Sequence, residues 1–556
     1  MAATTTINPE SAGFNPATKT FHSLRPPIHL PQEDAPISVV DYVLSIRSAS
    51  RWPDSTAALI DSATGQRIPY SDLLKRHKSL SYYLQHVLKL SRHDVALVIC
   101  PNCVQVPILY LSLLSIGVVV SPGNPVSTGS EFARLVELSG PTIAFATSST
   151  AYKLPKLRLG TILVDSPEFE SMMTHTFDLD LNLGLGPTQP SQSDVAAILY
   201  SSGTTGRIKG VMLTHRNLIG VVALCRSSAV AAGERASPAV LLYTVPLFHV
   251  FGFIYSLKSV ALMETVVMMP RFGLDGMLKA VEEFGVTDVA MAPPVVVAMV
   301  KPGSSERYDL SSLKSLVVGA APLGKDVIAA FKAKFPAVEL AQGYGLTELT
   351  GPVSRVLGPK ESKKWGSVGR LYGLLEARIV DPETQEFLPP GKQGELWVKG
   401  PTTFKGYVGD PEGTIDNMVI NEWLRTGDLC YFDDQGFLYV LDRLKELIKY
   451  NGYQVAPAEL EQLLQSHPCV ADAAVIPYPD EEAGQLPFAC VVRRPGCILD
   501  ERSVMEFVAK QVAPYKKIRR VAFVNSIPKS PAGKILRKDL RKMVLAPLLT
   551  TSSSKL

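Results

Sequence analysis

One ten-residue stretch, Ser201 to Gly210 (SSGTTGRIKG), narrows what this chain can fold into more than any other. Ahead of it the apolar run Val195-Ala-Ala-Ile-Leu-Tyr200 reads as a buried strand. After it Val211-Met-Leu-Thr-His215 is a second short apolar run that leads into an amphipathic helix. Between the two lie hydroxyls (Ser201, Ser202, Thr204, Thr205), glycines (Gly203, Gly206) and Lys209. Glycine lets the backbone approach a ligand and turn its N–H groups toward it, hydroxyls add donors, and the lysine adds a charge. That combination is a phosphate cradle. It is not a Walker A loop, which has Gly directly before Lys and Ser or Thr directly after; here Ile208 precedes Lys209 and Gly210 follows it.

The 556 residues imply roughly three or four domains or subdomains. A net charge of +4 with no long basic run argues against nucleic acid as the main partner. Met1 to Asn15 has no apolar core of signal-peptide length. The longest apolar stretch, Val104 to Val120, contains Gln105, Pro107, Ser112 and Gly117, and reads as a buried helix running into a strand rather than a membrane span. Seven scattered cysteines suggest reduced thiols. Cys100-Pro-Asn-Cys103 has redox spacing, but no thioredoxin-sized unit surrounds it, which favours buried thiols. Ser554-Lys555-Leu556 reads as a peroxisomal address recognised by an import receptor.

From Ile37 to about Leu183 helical and strand-like segments alternate, the pattern of a parallel sheet covered by helices. LLYTVPLFHVFGF (241–253) reads as a strand that breaks at Pro246 and delivers His249 to a helix start, either as a packed core residue or among aromatic neighbours lining an apolar pocket. VELAQGYGLTE (338–348) reads as a strand ending at Gln342, followed by one loop holding Tyr344, Thr347 and Glu348: a ring that can stack on a base, a hydroxyl, and a carboxylate suited to Mg²⁺. Asp428 is expected at a strand start, as a cap or turn residue or as an acceptor for ribose hydroxyls. Beyond Arg443 roughly 110 residues read as a compact α+β unit. A helix opens at Pro457, and near the end Pro531 and Gly533 are expected to make a projecting loop that carries Lys534. The fold class is therefore α/β. A large N-terminal domain of sheet–helix subdomains, residues 1–442, is joined by a hinge to a small C-terminal α+β domain, residues 443–556.

Taken together, SSGTTGRIKGV, GAAPLG, QGYGLTE, LDRLKELIKY, QVAPAELE and SIPKSPAGKILRK resemble the adenylate-forming superfamily of acyl-CoA synthetases, luciferases and peptide-synthetase adenylation domains, from about Phe21 to Arg541. Within it the chain looks most like the plant peroxisomal 4-coumarate–CoA ligase-like branch, through the SKL ending, Trp397 where 4-coumarate ligases usually show cysteine, and the PYKK of Pro514 to Lys517. The resemblance implies ATP, Mg²⁺ and coenzyme A as cofactors, and a two-step reaction through an acyl-AMP. It implies that Ser201, Ser202, Gly203, Thr204, Thr205, Gly206 and Lys209 hold the leaving phosphates. Gln342, Gly343 and Tyr344 would receive adenine, Thr347 phosphate, and Glu348 Mg²⁺. Asp428 and Arg443 would hold ribose, and Lys534 would stabilise the adenylation transition state, with His249 also in the catalytic set. Lys445 would lie at the hinge, and Lys449 and Gln454 would meet the adenylate or set the second state. Arg271 and Gly452 are candidate coenzyme A contacts, and Phe251, Tyr255, Ala320 and Gly345 would line the acid pocket. Phe251 stands where hydroxycinnamate ligases commonly have Tyr, and Asn451 replaces a frequent lysine. Both changes point to an apolar acid, either a fatty acid or a cyclopentanone alkanoate of the jasmonate-precursor type. A cinnamate-type aryl acid is the alternative, and a luciferase-like oxygenase is an alternative of another class.

Overall fold

The computed structural model describes residues 9–175, 189–201, 208–233, 235–319, 323–419, 422–451, 453–480, 482–530 and 533–552. Three sheets make up the large N-terminal part. In the first, Thr161–Leu163, Ile143–Ala146, Val95–Ile99, Val119–Pro122 and Val195–Ser201 run parallel. Lys209–Thr214 then returns antiparallel on Val195–Ser201, and Gly406–Tyr407 pairs on its other edge. The second sheet has a parallel centre built from Ala57–Asp61, Thr265–Met268, Val240–Tyr243, Asp288–Met291, Ser315–Val318 and Glu339–Leu346. Strands such as Ile143–Ala146 and Asp288–Met291 are buried at every residue, as expected where both faces of a parallel sheet are covered. The helix Gln105–Ser115, buried from Val106 onward, belongs to a core that also takes in residues of the third sheet. That third sheet is antiparallel, with Glu376–Val380, Gly394–Lys399, Trp423–Phe432 and Leu438–Arg443 as its main strands.

The small C-terminal part has its own sheet. Its long hairpin Val470–Asp480 and Gly484–Arg493 alternates strictly: Ala473 and Val475 face one apolar cluster, Ala474 and Ile476 the other. Helix Pro457–Ser466 packs on one face and Arg537–Ser552 on the other. The expected class, a large α/β domain followed by a small α+β domain, is therefore the observed one.

All seven cysteines are free, and burial pushes the Cys103 thiol up to about 11, as fits buried thiols rather than a redox pair. Among the described residues no helix is long and apolar enough to cross a membrane.

Two local expectations are corrected. The strand expected to end at Gln342 continues to Leu346: it leaves Ser315–Val318 and pairs antiparallel with Gly351–Arg355. Gly345 permits this close pairing, since a Cβ there would collide with the Gly351 carbonyl. Asp428 lies in mid-strand opposite Arg443, not at a strand start. Gly533, beside Lys534, lies against the large part, where a Cβ on it would stand 3.3 Å from Ala292.

Candidate active site

The strand register brings Lys209 opposite Ser201, so the two ends of the phosphate loop are fixed side by side. Ser201 Oγ donates to Glu348 Oε1 at 3.0 Å, and the Tyr407 hydroxyl donates to the same oxygen at 3.1 Å. Glu348 is held from behind by its own carbonyl, which accepts from Phe404 N–H at 2.9 Å. Lys209 Nζ lies 4.2 Å from the Tyr407 ring centroid and 3.6 Å from Asp410. Tyr407 and Asp410 were not among the sequence candidates. The strand Gly406–Tyr407 pairs with Lys209–Thr214 across some 200 residues of chain, and Asp410, which caps the helix just after it, comes with it. No cluster of three or more His, Cys, Asp or Glu is present among the described residues. Glu348 with its two hydroxyl neighbours fits an ion that takes one protein carboxylate and completes its shell with phosphate oxygens and water, as Mg²⁺ does.

A second group gathers beside the first. Asp428, 2% exposed, accepts from Arg443 Nε at 2.8 Å and from the Tyr344 hydroxyl. Burial raises the Asp428 carboxyl and outweighs the lowering by Arg443. From the C-terminal part comes Lys534. Burial, and then the charge of Arg443, lower its ammonium, and the carboxylates of Glu446 and Asp428 oppose them. A Cβ on Gly533 would lie 3.3 Å from Ala292 and 3.5 Å from Pro294, so this loop sits on the large part. Lys445 stands in the short turn Leu444–Glu446; partial burial, with Arg443 and Lys534 beside it, brings its ammonium down to about 8. Neither Lys445 nor Lys534 makes a side-chain ion pair among the described residues. The connection between the two parts is tied by Arg537, which bonds Glu446 (3.2 Å) and Glu461 (2.7 Å), and by Asp442, which accepts from Ala458 N–H at 2.9 Å.

The third group is apolar. Asn102 pins the turn before His249, donating to Val245 O at 3.0 Å and accepting from Leu247 N–H at 2.9 Å. His249 is the N-cap of helix Val250–Ala261, and its Nδ1 accepts from Phe251 N–H at 3.3 Å. Burial lowers the His249 imidazole below its ordinary range and keeps it neutral. Phe251 meets Tyr255 edge-on at 4.8 Å, and its ring edge comes within 3.8 Å of where a Cβ on Gly319 would stand.

Other sequence candidates fall elsewhere. Gln342 turns its amide to the Ser367 carbonyl (3.4 Å), and Thr347 is buried in the turn Thr347–Leu349. Lys449 is exposed and pairs in register with Gln454. Arg271 is exposed just before helix Leu274–Phe284, away from the groups above in the chain. Ser202, Gly203, Thr204, Thr205, Gly206, Ala320, Gly452 and Ser554-Lys555-Leu556 lie outside the described residues.

Residues 46–408 match the model of the AMP-binding enzyme family, and residues 459–534 match that of the AMP-binding enzyme C-terminal domain. The chain belongs to the AMP-binding enzyme family. It is 50% identical over 545 residues to 4-coumarate–CoA ligase-like 9 of Arabidopsis thaliana, covering 96% of each chain. It is 42% identical to the peroxisomal OPC-8:0-CoA ligase 1 of the same plant, covering 98% of this chain and 99% of the relative. Its fold matches the crystal structure of ATP-bound MatB from Rhodopseudomonas palustris with a TM-score of 0.80 and 26% identity, covering 91% of this chain and 99% of that one. This AMP-binding enzyme is an ATP-dependent acyl- or aryl-CoA ligase that uses ATP, Mg²⁺ and coenzyme A.

Proposed function

We propose that this ligase activates an apolar carboxylic acid, a fatty acid or a cyclopentanone alkanoate, and that it does so in the peroxisome. The observation that carries the mechanism is the meeting of Lys534 with Asp428, Arg443 and Lys445 across the two parts of the chain. In the first step a carboxylate oxygen of the acid attacks the α-phosphorus of ATP. The bond from that phosphorus to the bridging oxygen breaks, and pyrophosphate leaves. Negative charge builds on the phosphoryl oxygens, where fixed cations contribute most. Lys534 and Lys209 supply such cations, and the loop from Ser201 to Gly206 supplies donors. Asp428 and Arg443 hold the ribose, Tyr344 receives adenine, and Glu348 would hold Mg²⁺, which would supply charge to offset that of the phosphates. In the second step the thiol of coenzyme A attacks the acyl carbon and AMP leaves. The small part turns about a hinge at Asp442 to Lys445 between the two steps.

The acid reading rests on Phe251, which has no hydroxyl to bind a polar ring substituent, and on its apolar surroundings. A second reading, a cinnamate-type aryl acid, draws on the edge-on Phe251–Tyr255 pair, which can receive a flat ring. Peroxisomal placement is supported by the likeness to a peroxisomal relative and by Ser554-Lys555-Leu556.

The test is coenzyme A-dependent AMP release over C6 to C18 fatty acids, a cyclopentanone octanoate, cinnamate, 4-coumarate and benzoate. Each buried methylene is worth about 0.8 kcal/mol, roughly fourfold, so an aliphatic site gives a steep rise with chain length. A flat response with cinnamate preferred sinks the aliphatic reading.

A further inference from the structure

The wall behind Phe251 contains a cation with no assigned work. Arg355 closes the strand Gly351–Arg355 and pairs in register with Gly343; its Cβ and Cγ would lie 3.9 Å from a Cβ placed there. Its backbone is fixed, since its carbonyl accepts from Arg25 Nη2 at 2.9 Å. Its Nε is enclosed and has no hydrogen-bond partner, and its guanidinium makes no ion pair or side-chain hydrogen bond among the described residues.

The charged groups around it each have a partner of their own. Arg235 is bidentate to Asp288 at 2.8 and 2.9 Å, Lys258 pairs with Glu264 Oε1 at 2.6 Å while Glu264 Oε2 is buried without a hydrogen-bond partner, and Glu339 accepts from Gly358 N–H at 2.9 Å. Tyr255, Tyr372 and the Cys225 thiol, all neutral, feel the Arg355 charge. The Tyr255 hydroxyl also has no hydrogen-bond partner among the described residues.

Helix Val250–Ala261 packs against the strand that Arg355 closes, since a Cβ on Gly351 would lie 3.7 Å from Val250 and 3.9 Å from Ile254; two donors without acceptors, Tyr255 and Arg355, therefore lie on neighbouring elements beside Phe251. Arg355 is part-buried, and a guanidinium whose Nε is enclosed and unpartnered gains a hydrogen bond when an acceptor arrives. The position is also set. Tyr255 lies one helical turn beyond Phe251, about 6 Å further from His249. Paired residues of a hairpin share a face and successive ones alternate, so Arg355 lies on the opposite face from Tyr344 and its Asp428 partner.

We infer that Arg355, with Tyr255, receives an acceptor oxygen at the far end of the acid, a ketone or a second carboxylate, opposite the carboxyl that is activated. The inference rests on the ligase reading above and narrows its substrate class to acids that carry a distal oxygen. A site built around such a bond rejects the analogue that lacks it far more strongly than an apolar pocket rejects a missing methylene.

The experiment compares kcat/KM of the full chain for acids of matched length: a plain monocarboxylate, the corresponding oxo acid with its ketone near the far end, and the α,ω-dicarboxylate. The expected result is at least a tenfold preference for one of the oxygen-bearing acids, expressed mainly in KM. Arg355→Met should remove that preference. Arg355→Lys should keep more of it for the dicarboxylate, which needs only a charge, than for the ketone. A dicarboxylate optimum identifies a charged partner and an oxo-acid optimum a neutral one; both support the inference. A plain acid preferred by the unaltered enzyme overturns it, even if the Arg355 variants do not fold. If none of the three acids, nor any in the wider panel, yields acyl-CoA, the ligase reading itself fails, a different outcome.

Discussion

On the nucleotide side of the cleft, Ser201 and Lys209 come from the first sheet, Tyr344 from the second, and Asp428 and Arg443 from the third, with Lys534 added by the small C-terminal part. On the acid side Phe251 and Tyr255 share one helix, Lys258 lies 4.8 Å from the Tyr255 ring centroid, and Arg355 stands amid tyrosines and a thiol. The nucleotide side mixes carboxylates with unpaired lysines, an arrangement suited to a polyanion that brings its own counterion. The acid side has one guanidinium and one phenol to satisfy, which suits a single acceptor. The contrast teaches that the two halves answer to different constraints. Transition-state charge fixes the chemistry of the first, whereas the second has only to match whatever the acid carries beyond its carboxyl.

The largest effect that would test this contrast is on the nucleotide side. Lys534→Ala should lower adenylation, read by pyrophosphate exchange, by on the order of 10²-fold or more, while thioester formation from preformed acyl-AMP survives. Equal loss in both half-reactions would mean that Lys534 holds the fold rather than the transition state.

Next comes the buried pair. Asp428→Ala leaves the Arg443 charge uncompensated beside a strand buried at Asp428, and should destabilise the chain by about 3 kcal/mol in thermal denaturation. ATP should restore part of the loss, because its ribose hydroxyls give Arg443 new acceptors. If ATP has no such effect, Arg443 does not face the nucleotide.

The smallest effect separates the two sides by pH. Lys445, held down to about 8, is charged below that pH and neutral above it, so kcat/KM for ATP should fall severalfold as pH rises from 7 to 9. Lys445→Arg should move that fall to higher pH. The acid side has no matching group, since the charge on Arg355 is held well above this range, and the relative preference among acids should stay flat. A preference that changes over the same window would show that the two sides share a titrating group.

How much of this was legible in the sequence follows the same division. The nucleotide side is written in short contiguous motifs, SSGTTGRIKG and QGYGLTE, because a loop between strands must supply several donors at once. What escaped there depends on pairing between distant segments: Tyr407 and Asp410 arrive through the strand Gly406–Tyr407, and Asp428 reaches Arg443 through a register that no local pattern encodes. The strand through Tyr344 was read as too short, because two glycines usually mark a turn, whereas here they allow two backbones to lie close together. On the acid side His249 was legible as a helix-start residue, but Arg355 was not singled out. In sequence it is one basic residue at a strand end, and only the third dimension shows that its neighbours are spoken for.

The cap at His249 has one more consequence, for proton traffic. Its Nδ1 is occupied as an acceptor by the Phe251 N–H, and burial keeps the ring neutral, so the single imidazole hydrogen must reside on Nε2. A ring fixed in that tautomer offers an N–H at Nε2 and has its one lone pair, on Nδ1, already engaged. It can orient a carbonyl or phosphoryl oxygen, but it cannot serve as a base, and the hydrogen lost from an attacking thiol must leave by a path that does not run through this imidazole.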